Sequence, residues 1–404
     1  MSRVPLRLAI VAVGLLSARV LGQTPSVPVE FRALYGELDT QLAEVETAID
    51  AAWDGAKRPV AFAAELTTAS SDRYADLFTL GNQAKIPVDL VRLKALGVKA
   101  VTLSVHFPLL YAPFYESQSA YEQNLETYRR VVSGIRALGL QVIIESQIVV
   151  PMSDPLGWQI QQYYWGMSLE EHIEARAQTA RVIADQLKPD FLVVICEERN
   201  EAYVTGHDWL LTVEGAATLV SAVAGRARQA GVPGMLVGAG AGSWSDDYRE
   251  FTHAYLSDPS VDFFNLHIYP VVRDFLQRPL EVAAIARSYG KRVAVGEAWL
   301  HKSAADETGI GISPFLFFRR NPFSFWAPLD ARFLRTLVKL THYDDYLFFS
   351  AQFSGFFYSY VPYTLETRSL TVDQMTDLAG QTANDAMMDG KYTTTAAAYM
   401  AYIK

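Results

Sequence analysis

Eight short apolar runs, alternating with longer stretches of helical periodicity, constrain this chain more than any other feature. The runs span 60–66, 100–106, 141–147, 191–197, 235–239, 261–267, 292–297 and 346–353, and helix-like periods include 121–138, 169–187, 213–230, 273–289 and 330–340. Strands that alternate with helices pair in parallel and are covered on both faces, so they read as apolar along their whole length. Eight such units predict a parallel sheet closed into a (β/α)8 barrel. Gly139, Gly231 and Gly290 follow helical stretches where a left-handed C-cap would end a helix. An open doubly wound sheet, the rival fold, calls for a Gly-rich turn after its first strand, and Leu66-Thr67-Thr68-Ala69 offers none.

The chain has 404 residues, and barrels of this kind routinely exceed 250 residues as one unit, so length does not divide it. Residues 1–22 pair Arg3 and Arg7 with an apolar stretch too short for a membrane span, and read as a signal peptide. A helical lead-in follows over 23–57, and the barrel occupies 58–404. The expected location is secreted or periplasmic, with no stable membrane insertion after the leader is removed. Formal net charge is -9 and no Lys/Arg block appears, which removes the electrostatic footprint of nucleic-acid binding and favours neutral ligands. Cys196 is the single cysteine, so no intrachain disulfide can form, and its apolar setting reads as a small buried hydrophobe.

Chemistry in such a barrel gathers at the C-terminal ends of the strands. Two apolar runs end in carboxylates. Phe191-Leu192-Val193-Val194-Ile195-Cys196 stops at Glu197, and Arg292-Val293-Ala294-Val295-Gly296 stops at Glu297, with Trp299 just beyond. The second run ends at His106, and the sixth ends Asn265-Leu266-His267-Ile268-Tyr269. Paired acids suit acid/base and nucleophilic work on one substrate. The rival reading of Glu297 is an ion pair with Arg292 or Lys291; His267 and His106 compete with the reading of satisfied core histidines. Trp158, Trp165, Trp244, Trp299 and Trp326, with Tyr163 and Tyr164, fall mostly in expected top-face loops and offer faces on which sugar C–H groups stack.

This arrangement resembles the clan of retaining (β/α)8 glycoside hydrolases, in which an acid/base Glu follows strand four, commonly as Asn-Glu, and a nucleophile Glu ends strand seven. The resemblance implies Glu297 as nucleophile and Glu197 as acid/base, with Glu201 as the alternative acid/base and Glu198 behind it. It implies Asn200, His106, Trp244, His267, Tyr269 and Trp299 as substrate-binding candidates. One departure stands out, because Cys196 occupies the place of the clan's Asn, while the literal Asn200-Glu201 pair lies four residues on. Parity favours Glu197: Val193, Ile195 and Glu197 alternate as Val293, Val295 and Glu297 do, so both acids are expected to point to the barrel axis.

Metal ligands at recognised spacing are missing, since the seven His are scattered without His-x-His or His-Glu-x-x-His, and Gly-x-Ser-x-Gly is absent too. Gly238 to Ser243 lacks the Lys of a phosphate loop and reads as close backbone approach at strand five. The expectation is a cofactor-independent hydrolase of a β-linked oligo- or polysaccharide, with a carbohydrate as its partner. A non-catalytic glycan-binding barrel, and a transglycosylase or lyase on the same fold, remain as alternatives.

Overall fold

The computed structural model describes residues 26–70, 79–151, 155–304, 307 and 315–404. The leader expected over 1–22 and part of the loop expected over 303–328 lie outside the described residues. Eight parallel strands close in sequence order into a barrel: β1 (Ala61–Glu65), β2 (Ala100–Ser104), β3 (Gln141–Glu145), β4 (Phe191–Val193), β5 (Leu236–Gly242), β6 (Phe263–Ile268), β7 (Arg292–Ala298) and β8 (Phe348–Ala351). This is the (β/α)8 architecture that the alternation predicts.

The lead-in folds as α1 (Arg32–Ala52), whose Leu34, Leu38, Leu42, Val45 and Ile49 recur at helical spacing and are buried. The other helices of eight or more residues are α2 (Ile86–Leu96), α3 (Gln118–Ala137), α4 (Pro155–Trp165), α5 (Leu169–Val182), α6 (Glu198–Thr205), α7 (Val213–Arg228), α8 (Tyr248–Ser257), α9 (Arg278–Ser288), α10 (Ala327–Tyr343), α11 (Val372–Met388) and α12 (Thr394–Tyr402). α1 docks on α10, where Glu46 accepts hydrogen bonds from Arg335 Nε at 2.9 Å and Thr336 Oγ1 at 3.0 Å. Among the described residues no helix is long and apolar enough to cross a membrane. Gly139, Gly231 and Gly290 take φ of 67°, 63° and 66°, the left-handed conformation that their positions after helices require.

The barrel interior is layered. Ala63, Ala100, Ile143, Phe191, Val193, Phe263, Ala294 and Phe348 form an apolar floor with Cys196. Leu192, Val194, Ile195, Val293 and Val295 belong instead to the layer between sheet and helices. This corrects the parity argument, because Ile195, Val293 and Val295, which alternate with the two acids, point outward, away from the axis. Both acids reach the mouth through breaks in regular pairing. β7 carries one extra residue, so that Leu266 opposes Val295 but His267 opposes Glu297, and Gly296 is the residue passed over. On β4 regular pairing ends at Val193, two outward residues follow, and Cys196 then turns inward.

The Gly-rich end of β5 is close approach as expected. A Cβ on Gly240 would stand 1.7 Å from the Asn265 carbonyl oxygen, and one on Gly238 would enter the Phe263 ring.

Candidate active site

Above the apolar floor the interior turns polar, and His267 sits at its centre. The ring is fully buried. Its Nδ1–H donates to Glu197 Oε1 at 2.9 Å and lies 3.4 Å from Glu297 Oε2, while Nε2 lies 3.4 Å from Glu145 Oε1. Burial pulls the imidazole down, and the charges of Glu297 and Glu145 override it, holding the ring well above the ordinary histidine range. The Cys196 thiol beside it is pushed far up by burial and stays neutral. His267 is therefore a cation at neutral pH that spans both strand-tip acids.

Glu197 and Glu297 are the partly open members, with side chains 17% and 13% exposed. One oxygen of each lies with His267 Nδ1 in a group whose atoms are all within 4.8 Å of one another. Glu297 Oε2 accepts from the Tyr269 hydroxyl at 2.8 Å. Burial, then the charge of Glu297, raises that phenol well above its ordinary range, so it remains a donor. Arg292 pairs with Asp345 at 2.9 Å, and the Lys291 ammonium donates to the carbonyls of Leu256 and Asp258. The rival ion pairs for Glu297 are thus committed elsewhere.

The other expected residues divide. Asn200, exposed on the first turn of α6, donates to Glu197 Oε2. Trp244 is half-buried with its ring 6.0 Å from Tyr269. His106 is buried beyond β2 and accepts from the Gln147 backbone N–H at 3.2 Å. Trp299 is fully buried and stacks on Phe356 at 5.2 Å, so it offers no face to a ligand.

Glu201 is not brought to the mouth. It is buried against Arg176 Nε at 2.7 Å and His172 Nε2 at 2.8 Å. Burial alone would raise its carboxyl, but the Arg176 charge and these bonds hold it at about 2. Arg176 also donates to the carbonyls of Ser146 and Val194, tying α5 and α6 to the sheet. Glu198 is buried and pushed up to about 8 by burial, with Oε2 lacking a hydrogen-bond partner among the described residues. Glu197 is thus the acid of this segment whose carboxylate meets His267.

Two groups escaped the sequence reading. Glu145, at the end of β3, is fully buried and accepts from Asn265 Nδ2 at 2.9 Å, with the Cys196 thiol at 3.5 Å. Its carboxyl fills the space of a missing side chain, since a Cβ on Gly296 would stand 1.9 Å from Glu145 Oε1. The available signal was a carboxylate closing the run Val142-Ile143-Ile144. His301 is the second; its ring stacks on Tyr269 at 4.6 Å and 9° and accepts from Asn321 Nδ2 at 3.0 Å. Burial, and then the Lys302 charge, lower it to about 3, so it is a neutral wall that fixes the tyrosine.

Two trios could bring ligand atoms to a single ion, Glu145 with Cys196 and His267, and Glu197 with His267 and Glu297. In both, the imidazolium already places its N–H groups toward the carboxylates. A cavity of about 320 Å3 lies to one side, lined by Glu65, Gln352 and Phe353 from the strand tips and by Ala379, Ala383 and Met387 of α11.

The chain resembles (β/α)8 glycoside hydrolases of known structure. Similar solved structures include an exo-β-1,4-mannosidase from Opitutaceae bacterium strain TAV5, at 14% identity over 83% of this chain and 62% of that one, TM-score 0.49. A GH5_18 protein from Bifidobacterium longum in complex with a disaccharide matches at 13% identity over 82% and 78%, TM-score 0.49. A GH53 catalytic domain from Ignisphaera aggregans matches at 15% over 80% and 90%, TM-score 0.48. No family model and no curated protein matches the sequence. At such identities the likeness is one of chain path, and the chemistry rests on the atoms above.

Proposed function

We propose that this chain is an exported glycoside hydrolase that cleaves a β-linked oligo- or polysaccharide with net retention. The observation that carries the proposal is that one oxygen of Glu197 and one of Glu297 lie within 4.8 Å of each other across His267, an approach that fits the close pair of acids a retaining enzyme needs. Retaining enzymes hold their carboxyl groups about 5–5.5 Å apart, and inverting enzymes need roughly 6.5–9.5 Å to admit a water. In the first step a Glu297 oxygen bonds to the anomeric carbon as the bond to the leaving oxygen breaks. That oxygen takes its proton from Glu197. In the second step Glu197 takes a proton from water, whose oxygen bonds to the anomeric carbon and frees Glu297.

The surroundings suit these roles. Tyr269 directs a hydroxyl at Glu297 Oε2, which orients the carboxylate for attack. His267 reaches both acids, at 2.9 Å from Glu197 Oε1 and 3.4 Å from Glu297 Oε2, and so fixes their spacing across the mouth.

One observation favours a second reading, a barrel that binds glycan without turnover. Cys196 faces Glu145 and Asn265, and the Asn200 amide is engaged by Glu197, so neither presents the amide that the clan directs at the sugar 2-hydroxyl. A panel of aryl β-glycosides separates the readings. Hydrolysis with the β-anomer first to appear in NMR spectra supports the retaining hydrolase. An α-anomer refutes retention, and no turnover of any member favours the binding barrel.

A further inference from the structure

Most of the exposed large aromatics among the described residues gather in one region, with Tyr289 after α9 standing apart. Among the described residues the three exposed tryptophans are Trp158, Trp165 and Trp209, at 57%, 62% and 38%, and Tyr203 joins them at 59%. All four fall in the segments that follow β3 and β4, on the rim beside Glu197. Clustered exposed apolar side chains mark a binding surface more often than chance exposure.

α4 carries two of them. Trp158 and Trp165 are seven residues apart, which puts them on one helix face about 10 Å from each other along the axis. The opposite face is anchored: Ile160 and Tyr164 are buried, and the Tyr164 hydroxyl donates to the Phe107 carbonyl at 2.7 Å. Gln161, between the tryptophans in sequence, donates to the Val204 carbonyl at 2.6 Å and so joins α4 to α6. α6 then leads back to the site, because Tyr203 and Asn200 are one turn apart on its exposed side and Asn200 bonds to Glu197. Trp209 extends the same rim beyond the end of α6.

The chemistry of this surface selects its occupant. α4 has no charged residue, and the exposed positions beside its tryptophans are the amides Gln159 and Gln162. A neutral face of indole rings and amides suits a polyol, offering stacking for C–H faces and hydrogen bonds for hydroxyls. It lacks the cations that an anionic lipid or nucleic acid would require. The span between the two indoles is roughly that of two sugar rings in an extended β-linked chain.

We infer that the rim formed by α4 and α6 is a glycan platform, on which the leaving-group side of a neutral β-linked polysaccharide lies after passing Glu197. This rests on the hydrolase reading for its orientation, though not for binding itself. The structure thereby points to a polymer as substrate.

The test uses the full mature chain, konjac glucomannan and barley β-glucan as polymers, and an aryl β-glycoside of one sugar as the short substrate. In native gels cast with each polymer, the wild type should be retarded, and Trp158→Ala/Trp165→Ala should lose most of that retardation. In kinetics the double variant should lose roughly tenfold more kcat/KM on polymer than on the aryl glycoside, chiefly through KM. Absence of wild-type retardation in both gels overturns the platform, as does an equal kinetic loss on both substrates. If retardation persists while the variant changes oligomeric state in light scattering, the patch is a protein interface and the inference is wrong. Retardation lost in the variant, with no hydrolysis by the wild type, keeps the platform and removes the hydrolase. Hydrolysis of the aryl glycoside without retardation does the reverse.

Discussion

Gly296→Ala is the smallest change that should disturb this site. The added Cβ would sit 1.9 Å from Glu145 Oε1 and 2.6 Å from Asn265 Nδ2, where real Cβ atoms keep at least 3.0 Å, so the carboxyl must retreat by 3.0 − 1.9 = 1.1 Å or more. That motion strains the 2.9 Å bond from Asn265 and carries the carboxylate away from His267. Overpacking costs about 1–3 kcal/mol, and weakening a charge-assisted buried hydrogen bond adds about 1.5–3 kcal/mol. A total of about 3–5 kcal/mol should lower Tm by roughly 4–6 °C in a domain of this size. Turnover should fall by about 100-fold, because a Glu145 carboxyl drawn back by about 1 Å no longer holds the His267 ring against both acids, and a shift of that order misplaces the reacting geometry. Differential scanning calorimetry and an aryl glycoside assay measure the two effects. Shortening the obstructing side chain should make Gly296→Ala cost less in a Glu145→Ala background than alone, a coupling that a double-mutant cycle detects. Strictly additive costs, or a Tm within about 2 °C of wild type with normal turnover, would refute the reasoning.

Other variants separate the acids. Glu197→Ala should retain activity on activated aryl glycosides and be accelerated by azide, whereas Glu201→Ala should chiefly lower stability; azide rescue of Glu201→Ala alone would reverse the assignment. Arg176→Met leaves Glu201 buried without its cation and should cost about 3–5 kcal/mol in urea unfolding; a loss under 1 kcal/mol would contradict the buried pair. Since Glu201 is held at about 2 in the fold against about 4.5 unfolded, its contribution is present above pH 4.5 and fades as pH falls toward 2. The order of 3 kcal/mol involved should be missing from an acid titration of Glu201→Gln. His267 runs the other way: its folded pKa is raised, so its contribution is full below pH 6.5 and is lost as pH climbs through the folded value. The stability gap between wild type and His267→Gln should therefore narrow at alkaline pH, and a constant gap would show that the ring is not cationic.

The barrel was legible because strand and helix periods alternate over the whole chain, a signal that averages over local error. Glu297, His267 and Tyr269 were legible as well, since a polar residue that closes an apolar run sits where a strand leaves the core and meets the mouth of the barrel. Strand parity does not aim the two acids. Parity assumes unbroken strands, and both acids reach the mouth through an irregularity that apolar patterning does not encode, at Gly296 on β7 and after Val193 on β4. Glu145 escaped because its role depends on Gly296, Asn265 and His267, which come from strands β7 and β6 across the barrel. Trp299 misled for a related reason: adjacency to Glu297 in sequence says nothing of the next side chain's direction, and this indole turns into the core against Phe356.

The central claim is that Glu297 attacks the substrate. Aryl 2-deoxy-2-fluoro-β-glycosides trap such an ester, because the fluorine slows its hydrolysis more than the departure of a good leaving group. The account predicts time-dependent inactivation of the full chain and a mass increase of one fluorosugar, localised by peptide sequencing to Glu297. A label on any other residue, or products of inverted configuration with no label at all, would contradict it.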